Sequence, residues 1–344
     1  MKFSAHFLPT YVPRLDGPVT ELYRRMFEQM EEIDRLGFDH LWVTEHHFSE
    51  YGGTLPHPPT FLSAIARTTR RIRLGVAISV LPLHHPLEVA ESYAMVEVVS
   101  NGRLEFGVGK GSEAIEYRRS GARQQEATLR MKEGTEIIRQ AWSDRPVNFR
   151  GEFFQYENVR VLPKPVQRPH PPIWVGCARS EDSFRWAGKN GFHLMTLPYL
   201  YPKLGSLQGF TKVYREALAQ AGHWREGREI LGKFHIYVSS SLDQAVREAT
   251  PYLKNYGAVH AAADPDRELE HMFGRDAASQ MAQGFIIAGD PERCIDAIRR
   301  WREEIGLTTL SGTFHFGGMP QEMALKNIRL FAERVMPAFR KDEV

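Results

Sequence analysis

Eight short apolar runs recur along the chain, most of them followed by a stretch with helical spacing. Phe3 to Leu8, Phe38 to Val43, Ile72 to Val80, Leu104 to Val108, Ile173 to Gly176, Phe192 to Met195, Ile230 to Val238 and Leu310 to Phe316 read as strands. Between Glu21 and Leu36 the apolar residues Leu22, Met26, Met30, Ile33 and Leu36 fall on one helical face, and Gly37 ends it. Thr60 to Arg70, Leu87 to Val99, Glu126 to Trp142, Leu207 to Ala221, Pro291 to Ile305 and Met323 to Val335 read as further helices, with Asp290 as an N-cap. Hairpin signals are few. Strand-then-helix units in this number, joined by right-handed crossovers, close into a parallel barrel wrapped in helices. The expected fold class is therefore α/β, a (β/α)8 TIM barrel with insertions.

The 344 residues exceed the ~250 typical of that fold, and the surplus has two places to go. Val147 to Leu162 reads as a hairpin excursion, followed by a Pro-rich connector from Pro163 to Pro172. Residues 242 to 283 read as a polar helical insertion without a strand. No linker marks a point of division, so one barrel domain is expected over 1–344. A doubly wound sheet with an appended domain is the structural alternative.

A net charge of +2 gives no pull towards nucleic acid or anionic membrane. Cys177 and Cys294, the only cysteines, are too far apart in sequence for a CxxC motif, which argues against a disulfide scaffold or a thiolate metal site. Met1-Lys2 leads directly into a strand, and no apolar run approaches the ~20 residues that span a bilayer. A cytoplasmic protein is expected.

Barrel enzymes carry their chemistry at the C-terminal ends of the strands. Here the second strand runs straight into Thr44-Glu45-His46-His47-Phe48. Two adjacent imidazoles and a carboxylate at such a position suit proton exchange near neutral pH. The plainer reading is that one imidazole packs and the other caps a loop. Glu45 is expected to orient His46 or raise its basicity. His85, just after the third strand, is expected to line the same mouth, and His84 to be a loop residue. Gly107 to Ser112, after the fourth strand, looks like a phosphate loop but lacks the GxxxxGK[ST] spacing. Its small residues still allow close backbone approach to a ligand, with Lys110 as a cation. Leu197-Pro198-Tyr199-Leu200-Tyr201 offers aromatic walls for an apolar pocket or plain surface cover.

Several of these stretches together resemble the bacterial luciferase-like, flavin-dependent monooxygenases. They are Met1-Lys2-Phe3, the run from Gly37 to Phe48, Leu81-Pro82-x-x-His85-Pro86, Asn101 to Gly107, Pro172 to Val175 and Val335-Met336-Pro337. The resemblance spans nearly the whole chain in order. It implies the barrel and an activity using reduced FMN (FMNH2) and O2 through a flavin C4a-peroxide, to oxidise a small aldehyde-like or other apolar compound. FMNH2 would come from a separate reductase or be made in place from NAD(P)H. The resemblance makes His46 the active-site histidine, with Glu45 and His47 beside it. It places a non-proline cis peptide at Ala77-Ile78, beneath the flavin ring. Luciferases carry Cys then Arg where this chain has Gly109 and Lys110, so positive charge is kept but bidentate phosphate recognition is lost.

The resemblance also puts the FMN phosphate at the helix following Gly176, near Cys177, Arg179 and Ser180. The acidic first turn there, Glu181 and Asp182, is equally explained by the helix dipole. Arg130 is a stand-in for an arginine that relatives carry early in the helix after the fourth strand. Homodimers are common among relatives, the helices after the second and third strands being the expected contact. Three other readings stay open: a metal-dependent hydrolase using Glu45, His46, His47 and His85; a flavin-binding subunit without catalysis; and a deazaflavin (F420) oxidoreductase of the same superfamily.

Overall fold

The computed structural model describes residues 1–201, 204–223, 227–263 and 277–340. Its strands are β1 (Lys2–Phe7), β2 (His40–Val43), β3 (Arg73–Val80), β4 (Leu104–Gly109), β5 (Val147–Arg150), β6 (Gln155–Val159), β7 (Ile173–Gly176), β8 (His193–Thr196), β9 (Ile230–Val238), β10 (Ile287–Gly289) and β11 (Thr309–Thr313). Parallel pairing runs β9-β11-β1-β2-β3-β4-β7-β8, and β8 returns to β9. That is a closed barrel of eight strands, the same eight expected from the apolar runs. Closure removes the doubly wound alternative. β5 and β6 form the antiparallel hairpin outside it.

Three boundaries of the sequence reading shift. β10 was not foreseen: it has 3 residues, too few for alternation to register, and it pairs with Ile236 to Val238 at the far end of β9. The helix Ala114–Ser120, a short polar stretch after the Gly-rich loop, carries no apolar periodicity that would mark it in the sequence. Of the stretch read as a polar insertion, Leu242–Ala263 and Ala277–Gln283 are helices, and 264–276 lies outside the described residues.

Strand alternation stacks the barrel interior in layers. At the N-terminal end the layer is polar. Arg73 pairs with Glu105, Trp174 Nε1 donates to Glu105 Oε2 at 2.6 Å, and Thr309 donates to Glu229 at 2.6 Å. Above it Trp42 and Trp174 meet edge to face with centroids 5.3 Å apart, packed with Met195 and Leu231. Gly75 belongs to this layer because a β-carbon there would stand 2.2 Å from the Trp42 ring. These side chains plug the barrel from below, so the open space lies at the C-terminal mouth.

Candidate active site

As β2 ends, Thr44 N–H donates to the Phe7 carbonyl at 3.1 Å, and the chain leaves the barrel at Glu45. The imidazoles that follow then part company. Glu45 is buried, and its Oε1 accepts from His84 Nε2 at 2.6 Å and from His47 Nε2 at 3.2 Å, while its Oε2 accepts from Ser79 at 3.2 Å. Burial alone would push the carboxyl up, but the two imidazole hydrogen bonds outweigh it and hold Glu45 at about 2. For His84 burial works downward, and Glu45 overcomes it and raises the imidazole above its ordinary value. Each group of the Glu45–His84 contact thus favours the charged form of the other.

His46 has a different partner. Its Nδ1 lies 3.0 Å from Glu116 Oε1, which also accepts the backbone N–H of His47 at 2.9 Å. The Glu116 side chain is 2% exposed and that of His46 16%, so the carboxylate is fixed in the wall and the ring reaches the cleft. With Nδ1–H donated to Glu116, Nε2 is the nitrogen left to exchange protons. The expectation that Glu45 orients His46 is thus corrected: Glu116 does. The expectation for the next pair is corrected too. His84 joins Glu45, whereas His85 turns outward to the Tyr156 hydroxyl of the hairpin at 3.1 Å.

The Glu45–His84 pair has a measurable pH signature. Its His84 share of stability is present below the unfolded imidazole value and is lost as pH rises through the raised folded value. Its Glu45 share is present above the unfolded carboxyl value and is lost as pH falls towards about 2. Glu45→Gln is therefore expected to cost about 1–2 kcal/mol, with the deficit greatest between about pH 4.5 and 6.5. Urea unfolding across pH checks this, and NMR of the His84 ring should show its pKa falling in the variant.

A cleft of about 690 Å³, counting its open mouth, lies between these groups and the loop after β8; Ala77, Ile78, Leu197, Tyr199 and Leu200 line it together with His46. The Ala77-Ile78 peptide is cis, and the pairing of β3 with β4 shifts register between Val76 and Ser79. The bulge lays Ile78 over the Trp42–Trp174 layer. A β-carbon at Gly109 would stand 2.6 Å from Ile78 Cδ1, and one at Gly176 would stand 3.0 Å from its Cγ2. Glycine at these two positions therefore makes the cradle for Ile78. The result is an apolar floor facing a proton-exchanging imidazole, which fits a flat aromatic cofactor.

The remaining expected residues fall in several places. Lys110 is exposed and lies off the cleft lining, its carbonyl accepting from the Tyr117 hydroxyl. Cys177 packs into the apolar core, and burial pushes its thiol up. Arg179 and Ser180 are exposed at the start of the helix Glu181–Lys189, where Ser180 is the N-cap and its hydroxyl makes no capping bond. Arg130 is engaged by Glu126 at 2.8 Å and lies over the Phe153 ring at 4.2 Å. The quartet Glu45, His46, His47 and His85 is not assembled. Instead Glu45, His47 and His84 bring ligand-type atoms within 4.8 Å of one another.

Residues 1–309 match the family model for luciferase-like monooxygenases. The chain is 28% identical to the oxygenase component of the flavin-dependent trigonelline monooxygenase of Acinetobacter baylyi, over 100% of this chain and 97% of that one. It is 25% identical to the F420-dependent glucose-6-phosphate dehydrogenase of Amycolatopsis mediterranei, over 92% of this chain and 95% of that one. The crystal structure of monooxygenase RslO1 from Streptomyces bottropensis superposes with a TM-score of 0.91 at 31% identity, covering 98% of this chain and 100% of that one. Among the described residues no helix is long and apolar enough to cross a membrane.

Proposed function

The chain belongs to the luciferase-like monooxygenases, and from that membership we propose that it oxygenates a small organic substrate with reduced FMN and O2. The observation that carries this reading is the single cleft in which the His46–Glu116 pair faces the Ala77-Ile78 floor. Reduced FMN, when bound, supplies the electrons and the activation of O2. The chain's own groups do the rest. Ile78 and Ala77 support the ring, and Leu197, Tyr199 and Leu200 keep water from it. His46 holds or delivers a proton at Nε2, and Glu116 fixes its tautomer. His47 braces Glu45 from beside the cleft. Ser180, the free N–H groups of its helix and Arg179 would hold the phosphate.

The trigonelline relative is named as an oxygenase component, and a separate flavin reductase is accordingly proposed here in place of direct use of NAD(P)H. A homodimer is proposed through the helix Pro86–Val99, which exposes Met95, Val98 and Val99. Met95→Glu together with Val98→Glu should give a monomer by light scattering, and an unchanged mass would refute that contact.

The cofactor test is binding. Anaerobic titration should show reduced FMN bound, and admitting O2 to the complex should reoxidise it. Preference for F420 over FMN would turn the reading to a deazaflavin oxidoreductase. Binding of neither, with hydrolytic activity appearing on Zn2+ or Mn2+, would turn it to a hydrolase.

A further inference from the structure

On the inward face of β9, across the mouth from the Ala77-Ile78 floor, sits a lysine that the reading above does not use. Lys233 is 2% exposed and lines the same cleft as His46 and Ile78. Its Nζ has no hydrogen-bond partner among the described residues. β9 stands opposite β3 in the barrel order, four strands away in either direction. The groups that interact with this amine come from several elements around it. They are His6 on β1, His235 on β9, Tyr199 after β8 and Tyr256 on the helix Leu242–Ala263, the two phenol rings lying 5.2 and 5.9 Å from Nζ. None of these is an anion, and the carboxylates that line the same cleft are engaged elsewhere, Glu45 by His47 and His84, Glu113 by Ser112 and by His260 at 3.9 Å, and Glu116 by His46. Burial, with the lysine's own charge, pushes both imidazoles well down and keeps them neutral. Burial likewise lowers the amine, to about 7.

A buried ammonium is costly unless it is paired, and a packing role at this site would be served better by an apolar chain of the same length. The Nζ points instead to an anion arriving through the cleft. Resting on the monooxygenase reading, we propose that Lys233 is a specificity-determining residue that receives an acidic oxygen, phenol or carboxyl, of an aromatic substrate. A carboxylate arrives ionised and pairs with the ammonium form. A phenol gives its proton to the neutral amine: the O–H bond breaks, an N–H bond forms, and the pair is neutral overall before and after. Tyr51, Leu197, Tyr199 and Leu200 then flank the aromatic body, with the acidic oxygen at the deep end.

Benzoate and benzamide, alike in shape but different in charge, serve as probes of the FMN-loaded full chain, by calorimetry. The wild type is expected to favour benzoate at least about tenfold, with the preference fading as pH rises above neutrality and the amine discharges. Lys233→Met should bind the two alike while keeping FMN affinity within about twofold. Lys233→Arg should keep the preference at high pH, because guanidinium stays charged. Equal binding of the two probes by the wild type, which needs no variant to fold, overturns the proposal. So does a benzoate preference retained in Lys233→Met, or a loss of FMN affinity in its place, which would assign the lysine to the cofactor. If the wild type binds no FMN, the monooxygenase reading fails on its own, and the probe comparison can still be made on the cofactor-free chain.

Discussion

His46→Asn is expected to lower substrate oxygenation by about 10²–10⁴-fold, the usual share of a positioned proton-transfer group. Asparagine keeps an N–H donor towards Glu116 where Nδ1 stood, while proton exchange at Nε2 is lost. Reduced-FMN affinity should stay within about twofold, and kcat rather than KM should carry the loss. O2 consumption should continue with hydrogen peroxide as its product, because electrons still reach oxygen but the organic compound is no longer oxidised. Glu116→Gln should show a smaller defect and a shifted pH profile, since glutamine accepts the Nδ1–H without its charge. Product formation at more than a third of the wild-type rate in His46→Asn would remove that imidazole from the mechanism.

The second large effect concerns the floor. Gly109→Cys puts a β-carbon 2.6 Å from Ile78 Cδ1, and overpacking of this kind is expected to cost about 3 kcal/mol. Displacing Ile78 also deforms the floor proposed to carry the flavin, so FMN affinity should fall with stability. Ile78→Ala in the same chain makes room for the thiol. The double variant should then be more stable than the sum of the single effects predicts, with a coupling of about 1–3 kcal/mol. Urea unfolding of the four proteins in the cycle measures it. Strict additivity would mean that residues 78 and 109 do not compete for this space.

The barrel was legible in the sequence because its signal is local and repeated. A run such as Leu74 to Val80 announces a strand on its own, and eight of them announce closure. β10 was not legible, being shorter than any period. At the mouth, the resemblance brought out His46 and the Ala77-Ile78 bond. The partners were hidden because they are chosen in three dimensions. Glu116 lies 70 residues beyond His46, and Glu45 lies 39 residues before His84. No spacing rule separates His84 from the adjacent His85; the short 3-10 turn Leu81–Leu83 decides which of the two faces Glu45. Lys233 and His235 were visible as polar letters inside an apolar strand, and only the burial of the lysine shows that it is more than an interruption.

The indole layer under Ile78 has a consequence for traffic. With Trp42 and Trp174 stoppering the tube from below, the cleft among the described residues opens at the C-terminal mouth. On the proposed activity, reduced flavin, organic guest and finished product would share that threshold, and whatever sits deepest would arrive first and depart last. Turnover in such a vessel is a queue, with a sequence of entry and exit imposed by the architecture before any bond is made.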